Sequence, residues 1–355
     1  MDSELKILYL YSELIGYQIP IFEVYVRDYN AKVHVVSWDK NKLKPYNHPL
    51  VEGVSFYKRS KYSRSELLEL TKIINPDIVY VSGWMDKDYL FCTKYFVKIG
   101  VPVVAGFDDI WFGKLRQRMG ALIFPIFYKK CFSNAWVAGP YQYEYAKKIG
   151  FNDSEIIYDL LTANTDVFDL EKLSGIDGKT VCYNSFLYVG NFRHRKGTDI
   201  LIQAFIEYKK KYEGSWKLIC VGNGEMEDLL VNQSGVEVYP FSDEKNLIQI
   251  ARSAGAFILP SRHDQWGVVV HEFASLGLPL LLSDNVGSRA IFLIDNFNGF
   301  LFQKNSIDDL ACKMHEISKR STTELRIMGN NSYLLSKRVS IASSTANFMS
   351  LIDQK

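Results

Sequence analysis

The sequence contains little cysteine, and its few cysteines form no structural pattern. The five residues stand at positions 92, 131, 182, 220 and 312, an odd total without short paired spacings. Zinc sites and disulfide frameworks depend on closely spaced or evenly paired cysteines. Neither kind of site is therefore indicated, and a reducing cytoplasm is the simplest setting for the chain.

Charge of one sign and long apolar runs are also scarce. The chain has 42 basic and 40 acidic residues, a formal net charge of +2, whereas a nucleic-acid-binding domain is usually strongly basic. No apolar run approaches the ~20 residues that span a bilayer. Residues 1–4 are acidic and lead directly into an apolar run, which is unlike a secretion signal. We expect neither a nucleic-acid partner, nor a membrane span, nor secretion.

The pattern of apolar runs predicts an α/β protein with two domains. A chain of 355 residues, 47% of them hydrophobic, is too long for one core. Short apolar runs alternate with helical stretches, which is typical of doubly wound parallel sheets. A polar, glycine-containing segment at 171–179 is a plausible linker. The predicted strands are 6–10, 32–36, 54–57, 77–81, 101–105, 135–138, 186–189, 217–221, 236–239, 257–259 and 279–282.

Residues 259–279 combine features that favour an anionic ligand. An apolar strand is halted by Pro260, and a largely apolar helix then begins near Gly267. The exposed N–H groups of a helix start attract phosphate. Asp264 precedes this helix and, taken alone, is more often a helix cap. Glu272 interrupts the apolar helix, and because a buried unpaired carboxylate is costly, a binding partner is expected.

The same segment resembles the nucleotide-sugar site of retaining glycosyltransferases of family 4, the glycosyl transferases group 1. Their pattern is Glu, seven residues, Glu, then Ala-Met-Ala-x-Gly-x-Pro; here it stands as Asp264, seven residues, Glu272 and residues 273–279. Aspartate in place of the first glutamate keeps the charge and shortens the side chain by one methylene. This departure bears on the donor sugar. The resemblance extends in order from about residue 186 to residue 317 and is diffuse before that.

The resemblance implies a GT-B fold, in which two Rossmann-like domains face each other across a cleft. Residues 1–170 would bind the acceptor, residues 171–336 would bind the nucleotide-sugar donor, and a helix within 337–355 would pack back on the first domain. In relatives this final helix helps to set the hinge of domain closure.

The basic loop after residue 189 matches the family's diphosphate-binding segment, and Lys196 falls on its diphosphate lysine. The family's arginine is replaced by Asn191, so Arg193 or Arg195, with Arg195 preferred, would supply that cation. A solvated basic loop is the alternative. The donor site implied by the resemblance comprises Glu272, Gly267, Trp266, Val268, Arg195, Arg193, Asn191, Gly190, Gly222, Asn223, Tyr239 and Phe241.

Asp264 and Lys196 are the candidate catalytic residues of the second domain, and Asp108 is a third from the first domain. Asp108 stands where the family often has a histidine, although a helix cap is an equal alternative. Gly16 and Tyr17 lie in the first strand-to-helix loop, which in relatives closes over the substrates. A simple turn is the alternative at Gly16.

Residues 114–130 interleave five basic residues with apolar and aromatic ones. Such a helix can lie on an anionic membrane surface, and many relatives carry a basic helix here. The alternative is a helix whose apolar side faces the core and whose basic side faces solvent.

The resemblance implies a metal-independent transferase without a cofactor. It would move a hexose-type sugar with retention from a UDP- or GDP-linked donor to a glycan or lipid-linked acceptor. The expected setting is bacterial surface polysaccharide synthesis, in the cytoplasm or at the inner face of the membrane. The alternatives are a nucleotide-sugar epimerase, a phosphorylase, or a non-catalytic nucleotide-sugar-binding relative.

Overall fold

The computed structural model describes residues 4–14, 16–40, 49–173, 183–241 and 243–352. The chain divides into two compact units: Met1–Thr162 together with Ile341–Lys355, and Ala163–Ser340. The linker prediction falls mostly outside the described residues, because residues 174–182 are not among them.

The strands of the two units form two separate sheets. The first unit contains β1 (Leu5–Tyr11), β2 (Ala31–Ser37), β3 (Val54–Lys58), β4 (Ile78–Ser82), β5 (Val103–Phe107), β6 (Asn134–Val137) and β7 (Ile156–Ile157). The second contains β8 (Ser185–Val189), β9 (Lys217–Val221), β10 (Val236–Tyr239), β11 (Ala256–Leu259), β12 (Leu280–Ser283) and β13 (Gly299–Phe302).

Helices connect these strands, as the alternating pattern predicts. In the first unit they are α1 (Ile19–Tyr29), α2 (Arg64–Ile74), α3 (Lys87–Lys98), α4 (Leu115–Phe127) and α5 (Pro140–Lys148). The second unit holds α6 (Leu170–Leu173), α7 (Thr198–Tyr212), α8 (Asp228–Val231), α9 (Glu244–Ala251), α10 (Val268–Ser275), α11 (Arg289–Phe292), α12 (Ile307–Ser318) and α13 (Thr322–Ser336). The last helix, α14 (Ile341–Met349), belongs to the first unit.

Both sheets are parallel and doubly wound. Their strand orders are β3-β2-β1-β4-β5-β6-β7 and β10-β9-β8-β11-β12-β13. Strands covered on both faces read as continuous apolar runs, and β11 and β12 are buried along their whole length. The predicted fold class, two Rossmann-like α/β halves, is confirmed. In such sheets ligands bind at the carboxyl ends of the strands where the order reverses, which here means β1/β4 and β8/β11.

Two short edge strands were not predicted. The glycine-containing segment 296–301 predicts structural turns, which is wrong for Gly299–Phe302, because these residues pair with β12. Asn296 does form a turn, with φ 62°. Gly299 permits the pairing, since a Cβ there would lie 1.9 Å from the carbonyl oxygen of Leu280.

The C-terminal helix completes the core of the first unit. Phe348 is fully buried and stacks on Trp136, with 4.9 Å between ring centroids. Burial of a phenylalanine of this kind contributes about 1.5–3 kcal/mol. The Asn347 side-chain amide also donates to the Asp159 carboxylate at 3.2 Å. Residues far apart in sequence are thereby fixed within one unit.

Candidate functional site

The loops that follow β8 and β11 meet at the reversal point of the second sheet. The backbone N–H of Arg262 donates to the carbonyl oxygen of Arg195 at 3.0 Å. The Arg195 guanidinium returns a hydrogen bond to the carbonyl oxygen of His263 at 3.1 Å. Arg262 also forms a bidentate pair with Asp199 at 2.6 and 2.7 Å. The two predicted phosphate-binding segments therefore form one connected surface.

A glycine allows these loops to approach so closely. Gly197 has φ 74°, in the left-handed region that favours glycine, and a Cβ there would lie 2.0 Å from the Pro260 carbonyl oxygen. Any other residue at this position would push the β8 loop away from the β11 loop. The glycine thus sets the distance between the two loops.

Lys196 and Asp264, both predicted as catalytic, are joined directly. The Lys196 Nζ lies 2.6 Å from the Asp264 Oδ2, and the two side chains are only 16% and 8% exposed. The Ser261 hydroxyl donates to the same carboxylate oxygen at 3.2 Å. Removal of one member of such a poorly solvated pair leaves the other charge uncompensated.

Asp264 does not cap the helix that follows it. The N-cap position of α10 is Gly267, with φ 84° and no side-chain cap. The Asp264 backbone instead pairs with Val286, accepting from the Gly287 N–H at 3.0 Å. This bridge fixes the carboxylate between the β8 loop and the start of α10. The cap interpretation of Asp264 is therefore wrong for α10.

The helix start itself lies where the sequence predicts it. α10 begins at Val268, and its first turn contains no acidic side chain. The first amides of a helix lack intrahelical acceptors and, with the helix dipole, favour an anion. Lys196, paired with the loop that leads into α10, adds a cation to the same region.

Glu272 differs from Asp264 in that its side chain has no partner among the described residues. It is half-buried on α10, and its carboxylate makes no hydrogen bond or ion pair within the part of the chain that the structure describes. Burial, together with the nearby Glu244 carboxylate, raises the pKa of Glu272 to about 7. Glu272 is thus a carboxylate whose hydrogen-bonding capacity is unused.

The remaining donor-site candidates surround the same edge of the sheet. A Cβ on Gly222 would lie 2.0 Å from the Gly190 carbonyl oxygen, so the β8 and β9 loops also touch. The Asn223 carbonyl oxygen accepts from the Phe192 N–H at 2.9 Å. Tyr239 and Phe241, in the loop that the resemblance assigns to the nucleobase, are 40% and 72% exposed. Aromatic surface is therefore accessible in that loop.

Three other candidates are placed as follows. The Trp266 side chain is 1% exposed and packs edge-on against Phe292, so the indole offers almost no surface to a ligand. Its Nε1 has no hydrogen-bond acceptor among the described residues. Arg195 is tied to the β11 loop, whereas the exposed Arg193 side chain has no hydrogen bond or ion pair with any described residue. Asn191, half-buried, begins the loop.

His271 was missed by the sequence analysis. Its imidazole is fully buried beside Glu272 in the chain, and it hydrogen-bonds to the backbone of Ala163 and Ser336, each at 3.0 Å. The signal available was a second polar residue within an apolar helix. Its partners, however, are 108 and 65 residues away and could not be inferred from local pattern.

In the first unit, Tyr17 and Asp108 lie near each other. Burial raises the pKa of Tyr17 to about 12, and the negative charge of Asp108 contributes to the shift. Gly16 and Tyr17 form a short 3-10 turn after β1, and Asp108 is exposed directly after β5. The N-cap position of α4 is Lys114, so Asp108 does not cap that helix.

Helix α4 carries its apolar residues on the outside. Among its residues only Phe124 is buried. The exposed apolar side chains of α4 are Leu115 (75%), Met119 (53%), Leu122 (76%), Ile123 (43%), Ile126 (66%) and Phe127 (59%). The alternative of an apolar side that faces the core is therefore wrong. Lys129 is paired with Glu155 at 3.0 Å, while Arg116 and Lys130 are exposed.

The described ranges contain neither a candidate metal centre nor a candidate membrane-spanning helix. Among the described residues, no group of three or more His, Cys, Asp or Glu side chains could hold a metal ion. Within the same ranges, no helix is both long enough and apolar enough to cross a membrane.

Sequence comparison matches part of the chain, whereas structural comparison matches nearly all of it. Residues 172–334 match the family model Glycosyl transferases group 1. An uncharacterized glycosyltransferase of Methanocaldococcus jannaschii is 32% identical over 163 residues, which are 44% of this chain and 44% of that protein. The chain therefore matches less than half the length of this relative.

Solved structures match over nearly the whole chain. A glycosyltransferase of Rickettsia africae superposes with a TM-score of 0.76 at 15% identity, covering 99% of this chain and 98% of that one. HepE of Anabaena, solved in complex with UDP, gives 0.75 at 13% identity over 99% and 100% of the two chains. At these identities the similarity establishes the fold, which is shared along the full length.

Proposed function

We propose that this chain, a protein of GT-B fold with a glycosyl transferases group 1 domain, is a retaining glycosyltransferase of family 4. It would transfer a hexose-type sugar from a nucleoside diphosphate sugar to an acceptor hydroxyl. The observation that carries the proposal is the Glu272 carboxylate, which has no hydrogen-bond or ion-pair partner among the described residues and lies on the helix whose start adjoins the Lys196–Asp264 pair.

Each chemical group of the donor would have a partner in this arrangement. Its diphosphate would lie at the start of α10, where helix amides and Lys196 meet the negative charge. Vicinal ribose hydroxyls would donate to Glu272, whose carboxylate then gains the hydrogen bonds it lacks. Asp264 would accept from hydroxyls of the sugar. The nucleobase would contact the loop that contains Tyr239 and Phe241.

The reaction requires no covalent intermediate on the protein. The bond between the anomeric carbon and the diphosphate oxygen breaks, and a bond from that carbon to the acceptor oxygen forms on the same face. The acceptor proton passes to the leaving diphosphate. Lys196 stabilises the charge that develops on that leaving group, which is the electrostatic role a nearby cation performs best. No residue of the chain is required as a nucleophile, and we propose that no metal is required.

For the acceptor we propose a lipid-linked glycan held at a membrane surface. The support is the exposed apolar stripe of α4 with Arg116 and Lys130 nearby. Apolar side chains insert at the headgroup boundary, and each cation near an anionic surface contributes about 1 kcal/mol. By family habit, the pathway would be bacterial surface polysaccharide synthesis at the inner face of the cytoplasmic membrane.

Nucleoside diphosphate release tests the activity. We expect the protein to release UDP or GDP from one nucleotide sugar in the presence of a lipid-linked acceptor, and EDTA to leave the rate unchanged. Sugar rearrangement without an acceptor would favour an epimerase, and dependence on inorganic phosphate a phosphorylase. Binding of a nucleotide sugar without turnover under any condition would contradict the proposal and favour a non-catalytic binding protein.

Liposome flotation tests the membrane contact. We expect wild-type protein to float with vesicles containing anionic lipid, and Leu122→Glu with Ile126→Glu to reduce the floating fraction at least fivefold. Ile73→Glu is the matched control, because Ile73 is 79% exposed on α2. Equal binding by the α4 variant and the control, or no binding by wild type, would contradict membrane contact and leave the transferase assignment intact.

A further inference from the structure

His271 is a buried polar residue that the proposed reaction does not use. It lies on α10 immediately before Glu272, and none of its surface is exposed. Its ring stacks on Phe292 with 4.5 Å between centroids and 16° between planes. A simple packing role would be served by an apolar side chain, so the two ring nitrogens require an explanation of their own.

Both nitrogens are used, and each has a defined role. The Ala163 N–H can only donate, so His271 Nδ1 accepts at 3.0 Å. Nε2 therefore carries the proton and donates to the Ser336 carbonyl oxygen, also at 3.0 Å. Burial lowers the pKa of His271 to about 4, so the ring is neutral near pH 7 and keeps this single tautomer.

The two partners lie where the chain passes between its units. Ala163 is the first residue of the second unit, and Ser336 lies shortly before Ser340, the last. One imidazole on α10 is thus hydrogen-bonded to both segments in which the chain passes from one unit to the other. These two segments, residues 160–166 and 334–342, are called the crossing segments. Asn164, next to Ala163, lies near Glu244 and lowers its pKa, and the charge of Glu244 in turn raises the pKa of Glu272. The adjacent residues Ala163 and Asn164 therefore connect the first crossing segment to the candidate donor site, one through His271 and the other through Glu244.

We propose that His271 is a positioning residue that couples occupancy of the donor site to the two crossing segments. The inference rests on the proposed function, because α10 also carries Gly267 and Glu272. A donor bound at the start of α10 restricts the motion of that helix. The two His271 hydrogen bonds transmit this restriction to the crossing segments. Without these bonds the donor still binds, but the crossings no longer respond to it.

Three substitutions separate the two hydrogen bonds. Asparagine places its amide oxygen near the position of Nδ1 and keeps the Ala163 bond only. Glutamine places its amide nitrogen near the position of Nε2 and keeps the Ser336 bond only. His271→Phe removes both bonds and keeps the stack on Phe292. Ser332→Ala is the control, because it removes a buried hydrogen bond to Asn298 in the same unit.

The primary readout is hydrogen exchange with and without UDP. In wild type we expect UDP to slow exchange at least fivefold in peptides covering 160–166 and 334–342. In His271→Phe we expect protection to persist in α10 and to disappear at both crossings, with the Kd for UDP changed less than threefold. His271→Asn should lose protection at 334–342 alone, and His271→Gln at 160–166 alone.

Steady-state kinetics give a second, independent readout. We expect His271→Phe to lower kcat at least tenfold with little change in the donor KM, and Ser332→Ala to lower Tm without lowering kcat. If His271→Phe does not fold, the asparagine and glutamine variants retain one bond each and decide the question.

Two outcomes would overturn the coupling. One is wild-type crossings that UDP does not protect although α10 is protected. The other is a His271 variant, folded and binding UDP, that retains wild-type kcat and wild-type protection. Failure of the proposed function looks different, because the wild-type protein would then transfer no sugar under any condition, whether or not it binds a nucleoside diphosphate.

Discussion

The two units share a parallel, doubly wound architecture, yet the carboxyl ends of their sheets differ. In the second unit, loops from β8, β9 and β11 touch through glycines and are tied by Lys196–Asp264 and Arg262–Asp199. In the first unit, the candidates are an exposed Asp108 and a half-buried tyrosine, Tyr17. The loops of the proposed donor half are thus joined by ion pairs between their side chains, whereas the candidates of the first unit stand at an exposed and a half-buried position.

This difference follows from what each half is proposed to bind. A nucleoside diphosphate has fixed charges and diols that a rigid set of groups can match in advance. An acceptor glycan offers mainly hydroxyls, for which fewer fixed groups are needed. Sequence similarity follows the same division, since residues 172–334 match the family model. The comparison predicts that substitutions in the donor half have the larger effects.

The largest effect is expected from Lys196→Ala. Loss of the cation that meets the leaving diphosphate should lower kcat about 10²–10³-fold, the range for removal of one transition-state charge partner. It also leaves Asp264 without its ion-pair partner. Steady-state rates with the active nucleotide sugar measure this. Lys211→Ala, exposed at the far end of α7, is the control and should be unaffected. A near-normal kcat in Lys196→Ala would contradict the proposal that the second unit binds the donor.

A smaller effect is expected from Asp108→Asn in the first unit. If Asp108 accepts a substrate hydroxyl, the amide keeps the shape and loses the charge, and kcat should fall about tenfold. Asp109→Asn is the adjacent, equally exposed control. A decrease in kcat as large as that of Lys196→Ala would contradict the difference between the two halves. An unchanged kcat would assign Asp108 a structural role.

The smallest effect is expected on stability, from Glu272→Gln without ligand. The pKa of Glu272 is raised in the folded state, so the ionised form costs stability above about pH 7, and this cost declines as the pH falls toward 4.5. The variant should therefore show a Tm a few degrees above wild type at pH 8 and no advantage at pH 4.5. A lower Tm at pH 8 would indicate a partner that stabilises the carboxylate.

Much of the fold could be predicted from sequence because apolar runs and their terminators are local signals. Pro260 and Gly267 mark the end of β11 and the start of α10, and both boundaries agree with the structure. The edge strand β13 was missed because its short run begins with glycine. Partners distant in sequence, such as His271 with Ala163, leave no trace in a local pattern.

The candidate site was predictable only in part, for the same reason. Residue type and spacing bring Lys196, Asp264 and Glu272 to attention, but they do not distinguish a paired carboxylate from an unpaired one. Amphipathic pattern likewise cannot say which side of α4 faces outward, since that depends on what packs against it. The indole of Trp266 is buried because Phe292, from another helix, covers it.

The central claim is that Glu272 binds the ribose of a nucleotide sugar, and its pH dependence tests this most directly. UDP-glucose affinity should be measured calorimetrically between pH 6 and pH 8 for wild type and Glu272→Gln. Because the pKa of Glu272 is raised to about 7, wild-type affinity should fall about tenfold from pH 8 to pH 6. The variant should bind weakly at every pH without that slope. Equal affinities with equal slopes for the two proteins would contradict the claim.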